Sequence, residues 1–418
     1  MLFSKNHWLH FCSLTFLLLL PMTVHSLTLD NVPSIKLDHG EYSILRDPSA
    51  NKTINDVKLI QSQGKFKAIS NNLSAGYVPD AYWLYFSLTR SDPQPSIWWL
   101  EIMPTFLDDI KFYHISPKNQ MEYRQGGDFI PQSVKEENYR GTIFKLDLTA
   151  GKHEFYIRLK TTSTMAATMK LWQPEVFNQY LRISYFVFGL YFSLIFTVLI
   201  FNSFNYVSTG KIIFLAYAGY LFLNMFQWLG INGFISEFIF PQQPLLANLA
   251  LGMSLSLSAS MAFLFFCLLF ELRKYHPYIY YITPLGIVLG LLTAIATPLG
   301  YYQQFVPWLL LVAIASLITA PWIMFRLWRS HETWNRLVVI GYSAYIVLVG
   351  INILGSLSLL AYNELNIYIG MTSNIFHILV LHLAIVMHYR KIEEEHIVAL
   401  KNVKLAEQQV EFEQAFNM

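Results

Sequence analysis

Beyond residue 182 the sequence runs through seven stretches without Asp, Glu, Lys or Arg: 183–205, 212–235, 245–270, 279–298, 304–325, 337–361 and 367–388. As a helix, each is long enough to cross a hydrocarbon layer of about 30 Å. In such a layer every backbone N–H and C=O must be bonded within its own segment, which makes the helix the natural form. These segments explain the composition, 54% hydrophobic and 13% charged, where soluble chains carry roughly 25% charge. A single soluble globule is excluded. The loops between the segments alternate in charge. Lys211, then Arg273 and Lys274, then Arg326, Arg329 and Arg336, then Arg390 and Lys391 fall on one side. On the other side "EFIFPQQP", "GYYQQ" and "YNELN" hold no Lys or Arg. Basic loops stay cytoplasmic, so the region before the first span is expected to be exported and the C-terminus to lie inside.

The first 26 residues agree with that topology. Lys5 precedes the apolar run "FCSLTFLLLL", and Val24 and Ser26 occupy the small-residue positions before a cut after Ser26, the plan of a secretory signal peptide. The run is short for an uncleaved anchor. The two cysteines, Cys12 and Cys267, fall in this leader and in an apolar span, which excludes a disulfide framework and a thiolate zinc site. A net charge of +2 offers no basic surface, and no nucleic-acid partner is expected.

Residues 27–180 carry ordinary charge and short alternating runs. "EYSIL" (41–45), "FKAIS" (66–70), "YWLYFSL" (82–88), "SIWWLEI" (96–102), "DIKFYHI" (109–115), "TIFKLDL" (142–148), "HEFYIRLK" (153–160) and "ATMKLW" (167–172) read as strands. The turn sequences "DPSAN", "SDPQP" and "TAGK" separate them. About eight strands without a convincing helix predict a two-sheet antiparallel β-sandwich, jelly-roll-like. The run "AYWLYFSLTR" (81–90) raises a question of its own. Tyr82, Leu84, Phe86 and Leu88 alternate with Trp83, Tyr85 and Ser87, yet a strand with one buried face needs only one apolar set. The Tyr82 set and Trp83 are assigned to the core, while Tyr85 is left between core and ligand platform.

The succession "GEYSILRDPSANKTINDV", "DAYWLYFSLTR", "WWLEI…LDDIKFYHI" and "YRGTIFKLDLTAGKHEFYIRLKTTS" resembles the type 2 periplasmic sensing domain of bacterial seven-transmembrane receptors with diverse intracellular signalling modules. The seven spans complete that family's plan, so the resemblance covers about 27–390. Trp83 and Phe86 match the family's Trp-x-Arg-Phe-like strand. Tyr85 stands where its Arg is usual, and Thr89 and Arg90 stand where an Asn is expected, so a ligand held through that Arg in relatives would differ here. The resemblance implies a receptor of the bacterial inner membrane. Its N-terminal domain would be periplasmic and similar to carbohydrate-binding modules, with a glycan or another small extracytoplasmic ligand.

Sugars present apolar C–H faces that stack on Trp and Tyr, while nearby polar side chains bond the hydroxyls. Tyr85, Trp98, Trp99, Arg140 and Trp172 are the ligand-binding candidates, and core packing competes for each ring. Trp98 and Trp99 are consecutive and point to opposite faces, so one turns away from the core. "LDDI" (107–110) could be read as a carboxylate pair, but neighbouring strand residues face opposite ways, and a solvated loop edge is expected. No H-E-x-x-H, G-x-S-x-G or P-loop pattern occurs. Neither enzymatic activity nor a catalytic residue, metal or cofactor is expected. Within the spans, Asn224, Gln227, Asn352, Asn374, His377 and His382 are costly in hydrocarbon unless paired. Interhelical hydrogen bonds or a switchable polar contact are expected there, ahead of a haem or metal site on the face that His377 shares with His388.

After His388 the sequence continues without Gly or Pro, which predicts one helix running on from the last span. Ile392, His396, Ala399, Val403, Ala406 and Val410 alternate by four and three. That is a weak heptad seam, suited to a coiled-coil-like signalling helix. In the family resembled, this helix feeds a cyclase, a histidine kinase or another output domain. Here the sequence stops at Met418, so either a cytoplasmic histidine kinase or diguanylate cyclase acting in trans or a shortened form of a larger receptor is expected, and a homodimer is a further expected assembly. The organisation expected is a signal peptide at 1–26, a periplasmic sandwich at 27–180, a seven-helix domain in the lipid bilayer at 181–388 and a signalling helix at 389–418. Two readings from other classes stand beside it. One is a permease or channel with a substrate-capturing exported domain; the other is an envelope-binding protein anchored by the bundle.

Overall fold

Alternating runs become two sheets, and the apolar stretches become helices, in a computed structural model that describes residues 27–416 apart from 30–31, 39, 271, 276, 330–332 and 361–363. The expected signal peptide lies outside the described residues. The chain divides into two units. One holds the N-terminal region up to Ser184 with 228–251 and 355–363, and the other holds 185–227, 252–354 and the chain from Glu364 onward.

In the first unit a seven-stranded sheet has the order β4 (Lys67–Ala68), β3 (Ser43–Asp47), β6 (Ala81–Arg90), β11 (Gly151–Lys160), β8 (Asp109–Ile115) and β9 (Met121–Gly126), with β1 (Leu27–Thr28) beside β6. A five-stranded sheet has the order β10 (Thr142–Leu148), β7 (Ser96–Met103), β12 (Met165–Trp172) and β2 (Ser34–Leu37), with β5 (Leu73–Gly76) beside β12. All pairings are antiparallel except that of β1 with β6. The eight predicted strands are present, and the antiparallel sandwich is the observed fold. Tyr82, Leu84, Phe86 and Leu88 pack in one core with Trp98, Leu100, Phe112, Phe144 and Phe155. Rings stack within it, Phe86 on Phe155 at 4.7 Å and Phe112 on Phe144 at 4.4 Å.

One helix appears where none was expected. α1 (Ile54–Ser62) starts at a capping box in which Thr53 accepts from the Asp56 N–H and the Asp56 carboxylate accepts from the Thr53 N–H. The sequence signal was "TIND" (53–56), a Thr with an acidic residue three positions on. Val57, the buried residue of α1, packs with Trp83, Tyr85 and Tyr156 on the outer face of the seven-stranded sheet. Both apolar sets of β6 are therefore core, one between the sheets and one beneath a helix. Thr53→Ala removes the cap and costs about 1 kcal/mol, so amide exchange over 54–62 should rise about fivefold while exchange in β6 stays constant.

Among the described residues, six helices are long and apolar enough to cross a membrane: α2 (Pro174–Thr209), α3 (Ile212–Ile231), α4 (Pro244–Leu269), α8 (Tyr302–Arg329), α9 (Thr333–Ser356) and α10 (Glu364–Phe416). The stretch expected to span at 279–298 is different. It holds α6 (Pro277–Tyr280) and the 15-residue α7 (Ile282–Ala296), after α5 (Leu272–Tyr275). Pro284 is the cause: it has no N–H to give the Tyr280 carbonyl, so the helix is interrupted there. Tyr281, between the two pieces, keeps helical dihedrals, φ −69° and ψ −21°. α3 stops at Ile231, before the predicted end at 235, because Gly233 turns left-handed at φ 78°. α10 is a single helix of 53 residues, joining the predicted last span and tail, and its residues 390–408 are exposed.

Candidate ligand platform and relay contacts

Strand register in the seven-stranded sheet sets four tyrosines in one row across its outer face. Tyr85 on β6 pairs with Tyr156 on β11, Tyr156 with Tyr113 on β8, and Tyr113 with Tyr123 on β9. Tyr85 lies 4.9 Å from Tyr156, and Tyr113 lies 5.0 Å from Tyr123, centroid to centroid. The next row holds Trp83, Arg158, Lys111 and Gln125 in the same register. α1 covers the Tyr85 end, where Tyr85 and Tyr156 are buried. At the other end Tyr123 is 48% exposed and Tyr113 half-buried. Arg158 is held there by Asp109 at 2.8 Å and by the Ala50 carbonyl at 2.7 Å. An aromatic row flanked by fixed polar groups can stack a flat apolar face and bond its hydroxyls.

The five candidates read from the sequence meet other parts of the chain. Tyr85 donates to Glu154 at 3.3 Å and packs edge-on to Phe66. Trp98 faces the core between the sheets, and Trp99 points the opposite way, as consecutive strand residues must. Trp99 and its cross-strand partner Trp172 join Tyr139, Ile143 and Phe177 in a separate cluster that the first turns of α2 cover. The Trp172 indole donates to Glu101 at 2.8 Å, and the Tyr139 hydroxyl donates to the same carboxylate at 2.6 Å. Arg140 is 2% exposed. Its guanidinium donates to Ser184 Oγ at 2.9 Å and to the Asn232 carbonyl at 3.4 Å, and lies 5.4 Å from the Phe234 ring.

Arg140 belongs to a set of contacts, all inside the first unit, between sandwich loops and the segments 228–251 and 355–363. Thr105 Oγ1 donates to the Ile231 carbonyl at 2.8 Å, and the Gln132 N–H donates to the Pro241 carbonyl at 2.8 Å. Thr164 Oγ1 donates to the Ser356 carbonyl at 2.9 Å, and Ser74 meets Ser358 at 3.1 Å. Gly233 lies so close that an added Cβ would stand 2.6 Å from the Arg140 carbonyl oxygen. Only glycine fits a left-handed turn pressed against backbone.

The "LDDI" reading is corrected here. Asp109 does turn outward to Arg158, but Asp108 is buried rather than solvated, 3% exposed. It accepts from the Thr162 N–H and hydroxyl, each at 2.7 Å, and from Asn248 Nδ2 at 3.2 Å. The same Asn248 nitrogen donates to buried Asp128 at 3.2 Å, so one amide on α4 bridges two carboxyl groups of the sandwich. Gly127, at φ 110°, lets the Asp128 N–H reach the Leu107 carbonyl at 2.8 Å, which holds the two loops together. Burial raises the Asp128 carboxyl well above its ordinary range, and Asp108 raises it further; Asn248 and Lys135 oppose. Burial also raises Asp108, against the hydrogen bonds from Thr162, Thr161 and Asn248. Lys135 is lowered by its own burial and supported by Asp128 and Glu237. Asp128 and Asn248 are 120 residues apart, and no local pattern could have joined them.

In the second unit most polar side chains singled out from the sequence find partners on helices. Asn374 donates to the Tyr191 hydroxyl and to Asn224 Oδ1, both at 2.8 Å. Asn202 meets His382 Nδ1 at 3.1 Å. Asn352 donates to Leu348 of its own helix at 2.9 Å, and Gln227 is half-buried. His377 is wholly buried, with its face on Tyr345 at 3.9 Å.

Comparison with family models places both halves of the chain. Residues 39–173 match the family described as 7TMR-DISM extracellular 2, and residues 184–387 match the family described as 7TM diverse intracellular signalling. Comparison with curated proteins finds no match. With its sandwich and apolar helices each matched in order, the chain belongs to the 7TMR-DISM receptors, membrane proteins that carry an extracellular sensor domain ahead of their transmembrane helices.

Proposed function

We propose that this chain is a non-enzymatic sensory receptor of a bacterial inner membrane, with its sandwich in the periplasm and its C-terminal helix in the cytoplasm. Its ligand is a glycan-type molecule that lies on the open end of the tyrosine row. The row itself carries the reading: half-exposed Tyr123 and half-buried Tyr113 stand beside Lys111, Gln125 and the fixed guanidinium of Arg158. A ligand shifts a receptor only if it prefers one of its states. Contacts of Arg140, Thr105, Gln132 and Asn248 on residues 231–248 give such a preference a mechanical route, since that segment joins α3 to α4. The alternating basic loops support the orientation. The exposed stretch of α10 supports output through a second copy of the chain or a separate kinase or cyclase.

The test is calorimetric titration of the full chain in lipid nanodiscs with a panel of soluble oligosaccharides. One or more should bind, and Tyr123→Ala should weaken that binding about tenfold, 1.4 kcal/mol. Tyr123 is half exposed, so its removal leaves the fold intact. Absence of saccharide binding, or parental affinity in both Tyr123→Ala and Tyr113→Ala, would overturn the proposal.

A further inference from the structure

Helices of the second unit that are rich in rings bring together polar atoms that satisfy nothing around them. His377 on α10 is completely buried, and among the described residues neither of its ring nitrogens meets a hydrogen-bond partner. Two more orphans accompany it. Among the described residues the buried Tyr342 hydroxyl on α9 meets no partner, and its ring stands 5.0 Å from the imidazole at 83°. Ser373 Oγ, one turn before His377 and on the same side of α10, is buried and likewise meets no partner among the described residues. Tyr345 covers one face of the imidazole, and Tyr220 on α3 stands edge-on at 6.3 Å. Asn374, three residues before His377, by contrast uses its side-chain amide in two hydrogen bonds.

Orphaned donors and acceptors are rare inside proteins, and rarer where lipid surrounds the fold, because nothing repays their lost hydration. The chemistry of this set constrains what repays it. A neutral imidazole presents one donor and one acceptor in its ring plane, and each hydroxyl can do both. A partner must therefore give and receive hydrogen bonds. It must also be neutral, since the segments 212–235, 337–361 and 367–388 hold no Asp, Glu, Lys or Arg to balance an ion. We propose that the interior of this helical unit contains a binding site, centred on His377, Tyr342 and Ser373, for a small neutral molecule that both donates and accepts hydrogen bonds. Bulk water and a small hydroxylic or amide metabolite share that chemistry.

Pulsed X-ray hydroxyl labelling of the full chain in nanodiscs tests the site, with water as the probe. Hydroxyl radicals form at bound water, so Tyr342 and His377 should label several-fold faster than Phe188, which is equally buried. His377→Phe should lower Tyr342 to the Phe188 rate, while His377→Gln, which keeps a donor and an acceptor, should preserve part of the labelling and serves if the Phe variant fails to fold. Slow labelling combined with a released small molecule in denaturing mass spectrometry, absent from His377→Phe, would assign the site to an organic guest. Slow labelling with no released molecule would overturn the proposal. Oligosaccharide titration of the same sample reads the tyrosine row separately, so either result stands without the other.

Discussion

Arg140→Ala should destabilise the first unit by about 3 kcal/mol, the usual cost of losing hydrogen bonds from a buried charged group together with its packing. The side chain is 2% exposed and reaches Ser184 and the Asn232 carbonyl from a sandwich loop. Its truncation leaves that carbonyl and hydroxyl without their donor, beside Phe234 and Tyr139, which packed against the guanidinium. Arg140→Lys should recover little of the loss, because one ammonium cannot span two acceptors that a planar fork reaches together. Thermal unfolding of the full chain in nanodiscs reads the stability term. The proposed relay adds a second expectation: oligosaccharide affinity at the tyrosine row persists in Arg140→Ala, while any ligand-dependent change in amide exchange over 231–248 disappears. Equal exchange responses in parent and variant would show that Arg140 holds the fold without carrying the signal.

The sandwich was legible because alternation has a period that only a strand satisfies. Leu84, Phe86 and Leu88 could be placed in the core before any partner strand was known. Register is another matter. Tyr113, Tyr123 and Tyr156 are ordinary strand residues in the sequence, and they become a row only through three pairings that no single strand encodes. Of that row the sequence offered Tyr85, at the end that α1 covers. Trp99 and Trp172 illustrate a second limit. Their turn away from the core follows from alternation, but what meets them is Phe177 on the next helix, which a strand pattern cannot announce. For "LDDI" alternation turned Asp108 and Asp109 to opposite faces and left a solvated edge as the expectation; Asp109 does face outward, but Asp108 is buried. Asn248 and Asp128, remote in sequence, close over it instead. Apolar length located six long membrane helices among the described residues, while the fourth stretch, 279–298, holds a shorter apolar helix because of Pro284, a residue whose effect depends on where in the turn it falls.

Asp128→Asn should flatten the pH dependence of the first unit and stabilise it at neutral pH by on the order of 2 kcal/mol, the scale of one uncompensated buried polar group. Burial and the Asp108 carboxyl both raise the Asp128 pKa in the folded chain. Between the unfolded value, about 3.9, and that raised value, the native state binds the extra proton. Stability therefore falls as pH rises through this window, and the whole penalty is present above it. Asparagine keeps the shape and can still accept from Asn248, but it has no proton to lose. Parent and variant should thus unfold alike in acid and diverge as pH rises, with the variant the more stable. Asp108→Asn should act in the same direction. The double substitution should gain less than the sum of the two, because each alone removes the repulsion between the carboxyls. Lys135, which opposes the shift of Asp128, and Glu237, which acts on Lys135, remain in both proteins and cancel in the comparison. Unfolding midpoints of the two proteins from pH 4 to pH 8 decide it, and parallel curves would exclude a shifted carboxyl at this site. Because Asn248 ties this pair to α4, the same proton lies on the proposed route from ligand to helices. The oligosaccharide response of the parent should then drift with external pH, and that of Asp128→Asn should hold constant.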